Sequence, residues 1–313
     1  AVVNGDVNVR MCLLSLGKGE FHGNVYAIGA SSNNAVDKYL AVLNGTLDQA
    51  VRDQAWAEIS NVEGTMSIAS AYEMGGTTID GNVKASFLKI GYGLHYPSER
   101  ETIGGYVHVK GNVDAENVHM DNPDNYDDIS DTFIVDGTLN VSRDIINNGF
   151  IQTPRLIVGR DFKNGTGFYA GELEGDALKL TGAKVGYLDA KNITNGSLLE
   201  VETLANTRNQ TYTQTYGTIK VVNNWFANST INMSGGVIDE QFLGQDHNLG
   251  MGNHYNVTGG VLKVGDLRGD STIALSDSGK IETKIDSVFE NYDGVADPHG
   301  LNTIGLNAKV PES

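Results

Sequence analysis

Three shortages frame this chain of 313 residues. Cys12 is its single cysteine, so no internal disulfide framework holds it together, and stability must come from backbone hydrogen bonds and packed side chains. Proline occurs only 5 times against 39 glycines, while hydrophobic residues make up 40%, the balance of a folded, turn-rich protein and not of a disordered one. Basic residues are outnumbered 22 to 39 by acidic ones, and the formal charge of −17 argues against nucleic acid or an anionic membrane as partner, since both are negative themselves. No apolar run approaches the roughly 18 residues of a membrane span, so no membrane insertion by this segment is expected. The opening AVVNGDVNVR lacks the charged-then-apolar pattern of a signal peptide.

What the chain has in quantity is one short phrase, reused. GGYVHVKGNVDA (Gly104 to Ala115) has counterparts in GGTTIDGNVKA (Gly75 to Ala85), DTFIVDGTLNV (Asp131 to Val141) and GGVLKVGDLRG (Gly259 to Gly269). A shorter core appears at Gly5-Asp6-Val7-Asn8-Val9, Gly64-Thr65-Met66-Ser67-Ile68 and Gly217-Thr218-Ile219-Lys220-Val221. Two or three apolar or β-branched residues between glycines suit a strand and are too few for a helix. The Gly-Asn or Gly-Asp step that follows predicts a corner with positive φ, and then a second short strand. Irregular spacing between copies argues against propeller blades and suits stacked coils from whose corners loops of any size leave.

The expected fold is therefore all-β, a right-handed parallel β-helix, or solenoid. At about 20 to 25 residues per coil it makes on the order of ten turns, a rod roughly 50 Å long. An antiparallel sandwich is the alternative, because Asp-Gly and Asn-Gly steps also close hairpins. Near the N-terminus the period changes to that of a helix. Val36, Tyr39, Leu40 and Leu43 share one face, and Leu47, Ala50, Val51, Gln54 and Ala55 another, which predicts a small α-helical hairpin that caps the solenoid or projects from its side. The divisions that follow are 1–63 for the N-terminal β segment with its hairpin, 64–285 for the solenoid, and 286–313 for a terminal cap or continuation.

Few residues suggest chemistry. The acidic stretch MDNPDNYDDISD carries Asp121, Asp124, Asp127, Asp128 and Asp131, hard oxygen donors that suit calcium but lack the EF-hand spacing and its glycine. A solvated loop is the plain alternative, and no other cofactor is indicated. In RNQTYTQTYGTIKV strict alternation puts Tyr212, Gln214 and Tyr216 on one side of a strand and Thr211, Thr213 and Thr215 on the other. Facing outward, the tyrosines make a platform for stacking on sugar rings; facing inward, they are ordinary core. Outward threonines point instead to an ice-binding face, for which one T-x-T-x-T run is too small an array. His254 and Tyr255, in a glycine-rich loop with Asp246 and His247, are further candidate ligand contacts, although the two histidines match no metal spacing. Paired acids at Glu172/Glu174 and Glu200/Glu202 follow from strand alternation in an acidic protein. No G-x-S-x-G, H-E-x-x-H, phosphate loop or C-x-x-C is present.

The phrases STINMSGGVI (Ser229 to Ile238), GGYVHVKGNVDA, DGTLNV and GGVLKVGDL resemble the β-helical passenger regions of bacterial autotransporters and related surface adhesins. The likeness is one of style and covers most of the chain after Gly64. It implies secretion or display at the outer membrane, with adhesion to a host surface glycan or protein, or self-association, through the sides of the solenoid. The hairpin and the lack of a recognisable C-terminal membrane barrel depart from that pattern. A non-catalytic adhesin is the leading expectation. A polysaccharide lyase or glycosidase on a β-helix is the alternative, and it requires two close carboxylates, or a calcium beside a basic residue, in a groove. An obligate trimeric fibre is a third.

Overall fold

The structure, a computed structural model, describes residues 1–10, 13–29, 33–45, 49–68, 76–91, 106–120, 131–165, 182–206, 209–224, 226–240, 252–264, 272–283, 288–289 and 293–295. They contain twenty-three strands and two helices, so the chain is all-β with one helical hairpin. Two compact units divide it between Thr153 and Pro154, whereas the sequence pointed to changes at 63/64 and 285/286.

Among the described residues of the first unit every pairing is parallel. One ladder runs through β1 (Val2–Val3), β4 (Gly19–Phe21), β7 (Thr77–Ile79), β9 (Tyr106–Val109), β11 (Thr132–Val135) and the start of β13 (Phe150–Asn164). A second joins β2 (Val7–Val9), β5 (Val25–Ala27), β8 (Val83–Ile90), β10 (Val113–Met120) and β12 (Thr138–Asn147). A third joins β3 (Leu13–Leu16) and β6 (Thr65–Ile68) to the C-terminal halves of β8, β10 and β12. Like residues stack on like: Phe21, Ile79, Val109 and Val135 form one buried column, and Val25, Val83, Val113 and Leu139 another. Full burial of each such side chain contributes about 1.5–3 kcal/mol. Strands β1 to β5, which precede the hairpin, belong to the same ladders as those that follow it.

The repeated Gly-Asn step is the corner between the first two ladders, and it works differently from the expectation. Gly5 in the first coil has the expected positive φ of 102°, but Gly23, Gly81, Gly111 and Gly137 do not. Glycine is required there because the coils touch: a Cβ on Gly81 would lie 2.6 Å from the Gly23 carbonyl oxygen, and one on Gly111 2.5 Å from that of Gly81. The residue after each glycine is a rung in a side-chain ladder. Asn24 donates its backbone N–H to Asp6 Oδ1 at 2.8 Å, Asn82 to Asn24 Oδ1 at 2.8 Å, Asn112 to Asn82 Oδ1 at 2.8 Å, and Thr138 to Asn112 Oδ1 at 2.8 Å. Just before this corner His22, Asp80 and Lys110 stack, with 2.6 Å from His22 Nδ1 to Asp80 Oδ2 and 2.7 Å from Lys110 Nζ to Asp80 Oδ1. The hydrogen bond from His22 first, then that from Lys110, holds the Asp80 carboxyl below the usual carboxylate range.

The hairpin, α1 (Asn33–Gly45) and α2 (Gln49–Ile59), leaves the chain between β5 and β6 and lies on the outer surface of the third ladder. Tyr39 meets Phe87 edge-on at 5.6 Å and its hydroxyl lies 3.2 Å from His119 Nδ1, while Lys89 Nζ is 4.4 Å from the centre of the Trp56 ring. It is a side insertion. On α1 the expected Val36 and Tyr39 are buried; the side chains of Leu40 and Leu43 are outside the described set. On α2 the expected face is corrected in part: Ala55 is buried as expected, but Ala50 and Gln54 are exposed, Val51 is 41% exposed, Leu47 lies outside the described residues, and the stripe against the sheet is Ala55, half-buried Trp56 and Ile59. The larger Trp56 and Ile59 decide which side faces the sheet. A bulge in β12 assists, since Ala115 pairs with Val141 but Asn117 with Asp144. The extra residue turns Arg143 outward, where Nη2 reaches Asp37 Oδ1 of α1 at 2.6 Å.

The second unit has parallel ladders too. In β14 (Gly182–Asn195) the N-terminal half pairs with β15 (Leu198–Leu204) and the C-terminal residues with β16 (Gln210–Gln214). The chain continues through β17 (Thr218–Val221), β18 (Ser229–Glu240), β19 (His254–Val264), β20 (Thr272–Leu275) and β21 (Lys280–Thr283). Both β18 and β19 bend and serve two ladders, with Gly236 and Gly260 at the bends in positive φ. Paired residues are 16 apart at Ala183 and Leu199 and 24 apart at Met233 and Val257. The final strands β22 (Val288–Phe289) and β23 (Asp293–Val295) pair antiparallel with β21 and β20.

Candidate functional site

On the ladder β14–β16–β18–β19–β20 the inward column is Ile193, Tyr212, Ile231, Tyr255 and Ile273, all buried. Two residues further, Asn195, Gln214, Met233, Val257 and Leu275 form a second inward column. Tyr212, Gln214 and Tyr255, three of the five expected ligand contacts, therefore point into the protein and are corrected to core residues. Tyr212 and Tyr255 lie between isoleucines, Gln214 lies between Asn195 and Met233, and their polar atoms are satisfied internally, as burial demands. The Tyr212 hydroxyl donates to Gln210 Oε1 at 3.0 Å, and Gln214 Nε2 donates to the Tyr216 and Gly217 carbonyls at 2.7 and 3.0 Å. Asn195 Nδ2 donates to Gln214 Oε1 at 2.9 Å, and Asn164 Nδ2 to Asn195 Oδ1 at 2.7 Å.

A second internal group closes around Glu240 at the end of β18. Asn253 Nδ2 donates to Tyr255 Oη at 3.0 Å, and Tyr255 Oη to Glu240 Oε1 at 3.4 Å. Burial pushes the Glu240 carboxyl up to about 8; the Tyr255 hydrogen bond lowers it and the neighbouring Asp239 charge raises it. Burial likewise raises the Tyr255 phenol well above its ordinary value.

The opposite parity faces outward. Its first column is Asn192, Thr211, Thr230, His254 and Thr272; its second is Thr194, Thr213, Asn232, Asn256 and Ala274. All ten are half-buried or exposed, and none is Asp, Glu, Lys or Arg. Rows are about 4.8 Å apart, and the two side chains within a row about 6.6 Å. Asn256 Nδ2 donates to Asn232 Oδ1 at 2.9 Å, and 2.6 Å separates His254 Nδ1 from Thr272 Oγ1, so parts of the array are held in place by their neighbours. At one end Asn192 Nδ2 donates to Asp161 Oδ1 at 2.8 Å.

Around the corner Tyr216 is 43% exposed, apart from its buried partners. Next to it on the adjoining ladder runs an outward, half-buried column of Leu198, Thr218, Val237 and Val261, which ends in exposed Lys280. Beyond that stands a column of alternating sign: Lys184, Glu200, Lys220, Asp239, Lys263 and Glu282. Lys184 Nζ is 3.4 Å from Glu200 Oε1, and Lys220 Nζ 3.6 Å from Glu200 Oε2. Both oxygens of Glu200, one of the paired acids considered for hydrolysis, are thus engaged by lysines. The array as a whole is not legible in the sequence, since only the register shows that outward threonines and asparagines from five strands fall in line.

Of the expected calcium ligands only Asp131 is among the described residues, where it is 2% exposed just before β11; Asp121, Asp124, Asp127 and Asp128 lie outside them. So do Asp246, His247, Glu172 and Glu174. Among the described residues no group of three His, Cys, Asp or Glu side chains is arranged to hold a metal ion, and no helix is long and apolar enough to cross a membrane. No protein family, curated protein or solved structure matches the chain.

Proposed function

We propose that this chain is a non-catalytic adhesin of the bacterial cell surface, displayed at the outer membrane or secreted, and that its ladders are the faces of a right-handed parallel β-helix. Parallel pairing at intervals from 16 residues, Ala183 to Leu199, to 30, Ile79 to Val109, supports the winding, and the longer interval from Phe21 to Ile79 holds the hairpin. The observation that carries the function is the outward array on β14, β16, β18, β19 and β20. In a chain of net charge −17, ten aligned positions without a single charged side chain form an interaction surface of uniform chemistry. Its partner is a host surface glycan or protein, or a copy of the chain itself. A flat surface of repeated weak donors and acceptors suits extended, multivalent contact better than turnover in a deep pocket.

The test is adhesion of the purified protein to host cells beside the Thr230→Asp variant, with sedimentation to detect self-association. Loss of adhesion in the variant is expected. Equal adhesion by the two, or turnover of a polysaccharide by either, refutes the reading.

A further inference from the structure

The composition of the array and of its border narrows the ligand, granted that this face is the adhesive one. We infer that it binds an uncharged, extended oligosaccharide chain lying along the stack of strands, with one sugar residue per row.

Three observations converge on that ligand. The first is charge. The array has no ionisable group other than His254, the charged column beyond the corner alternates in sign and sums to zero, and the chain as a whole is strongly acidic. A uronate, sulfated or sialylated chain finds Lys184, Lys220 and Lys263 each already within 4 Å of a carboxylate, and it meets the repulsion of the whole protein. The second is the functional groups. Hydroxyls of Thr194, Thr211, Thr213, Thr230 and Thr272 and amides of Asn192, Asn232 and Asn256 both donate and accept, as sugar hydroxyls do. Such groups pair with a neutral polyol in many small contacts and without the desolvation of a charge.

The third is the apolar border. A pyranose presents a hydroxyl edge and a C–H face, and the array offers a match for each. Exposed Tyr216 and the column of Leu198, Val237 and Val261 adjoin the hydroxyl and amide columns across the corner at Gly217, Gly236 and Gly260. These apolar side chains can pack against the C–H face of a sugar whose hydroxyls meet the array. The row spacing of about 4.8 Å is close to the length of one residue in an extended β-linked chain. Five rows, from Asn192 to Thr272, then accommodate a pentasaccharide.

The experiment is calorimetric titration with neutral β-linked glucose, xylose, mannose and N-acetylglucosamine oligomers from dimer to hexamer, with oligogalacturonate as the charged counterpart. Wild type is compared with Tyr216→Ala and Thr230→Asp, each first checked for an unchanged circular dichroism spectrum and melting midpoint. At least one neutral series is expected to bind, to tighten with length up to the pentamer, and to lose about tenfold or more in each variant. Cell adhesion is measured alongside. If no neutral oligomer binds, or oligogalacturonate binds equally well, while Thr230→Asp still abolishes adhesion, the ligand class is overturned and the adhesive face stands. Adhesion unchanged in Thr230→Asp overturns both.

Discussion

Replacing Glu240 by glutamine isolates the cost of keeping a carboxyl inside the second unit. The group ionises at about 8 in the fold against an ordinary value of 4.5, chiefly because it is buried. Below the lower value the folded and unfolded chains both carry the proton, and no penalty exists. As pH rises through the interval, the unfolded chain releases a proton that the folded one retains. Stability therefore falls with rising pH and levels off above about 8. The full interval corresponds to about 5 kcal/mol, and about 3 kcal/mol of it is already felt at neutral pH. Glutamine keeps an acceptor for the Tyr255 hydroxyl and cannot ionise. Urea denaturation of both proteins between about pH 4 and pH 9 gives the difference in unfolding free energy, from which all other titrating groups cancel. Hydrogen exchange in β18 and β19 assigns it to the second unit. The expected curve starts near zero, climbs in favour of Glu240→Gln, and flattens above pH 8 or so. A difference independent of pH refutes the reasoning, since it means that Glu240 has the same proton affinity folded and unfolded.

Two further perturbations address the corners and columns. Gly111→Ala places a methyl group 2.5 Å from the Gly81 carbonyl oxygen, so adjacent coils must separate locally; a loss of at least about 2 kcal/mol is expected in thermal or urea melts, and an unchanged midpoint sinks the contact explanation of these glycines. Lys220→Glu puts a third carboxylate between Glu200 and Asp239, and its cost of on the order of 1 kcal/mol should shrink in high salt; a salt-independent cost contradicts the charge-column account.

Strand alternation made much of the fold legible. In GGYVHVKGNVDA the parity that buries Val107, Val109, Val113 and Ala115 is visible in the letters, and so is the corner between them. Parity does not say which side is inside when both are plausible. In QTYTQTY either the tyrosines or the threonines suit a core, and the choice rests on Ile193 and Ile231, which the register brings above and below Tyr212. That information is in the stacking of distant segments. For the same reason the sequence suggests positive φ for Gly81 and Gly111: the contact between them is a property of two coils, invisible in either alone. The Gly23-Asn24 step escaped notice as a copy of the unit because its strands are short, although Asn24 is a full member of the asparagine ladder.

The hairpin interrupts the chain between Ala27 and Thr65, yet Val25 aligns with Val83 and Leu14 with Met66 as though nothing had intervened. Closing a longer excursion adds little entropic cost, because that cost grows only with the logarithm of its length. The corners are thus natural grafting points: lineages, or protein engineers, can exchange what departs from them and alter the decoration of the molecule while its spine keeps the same alignment.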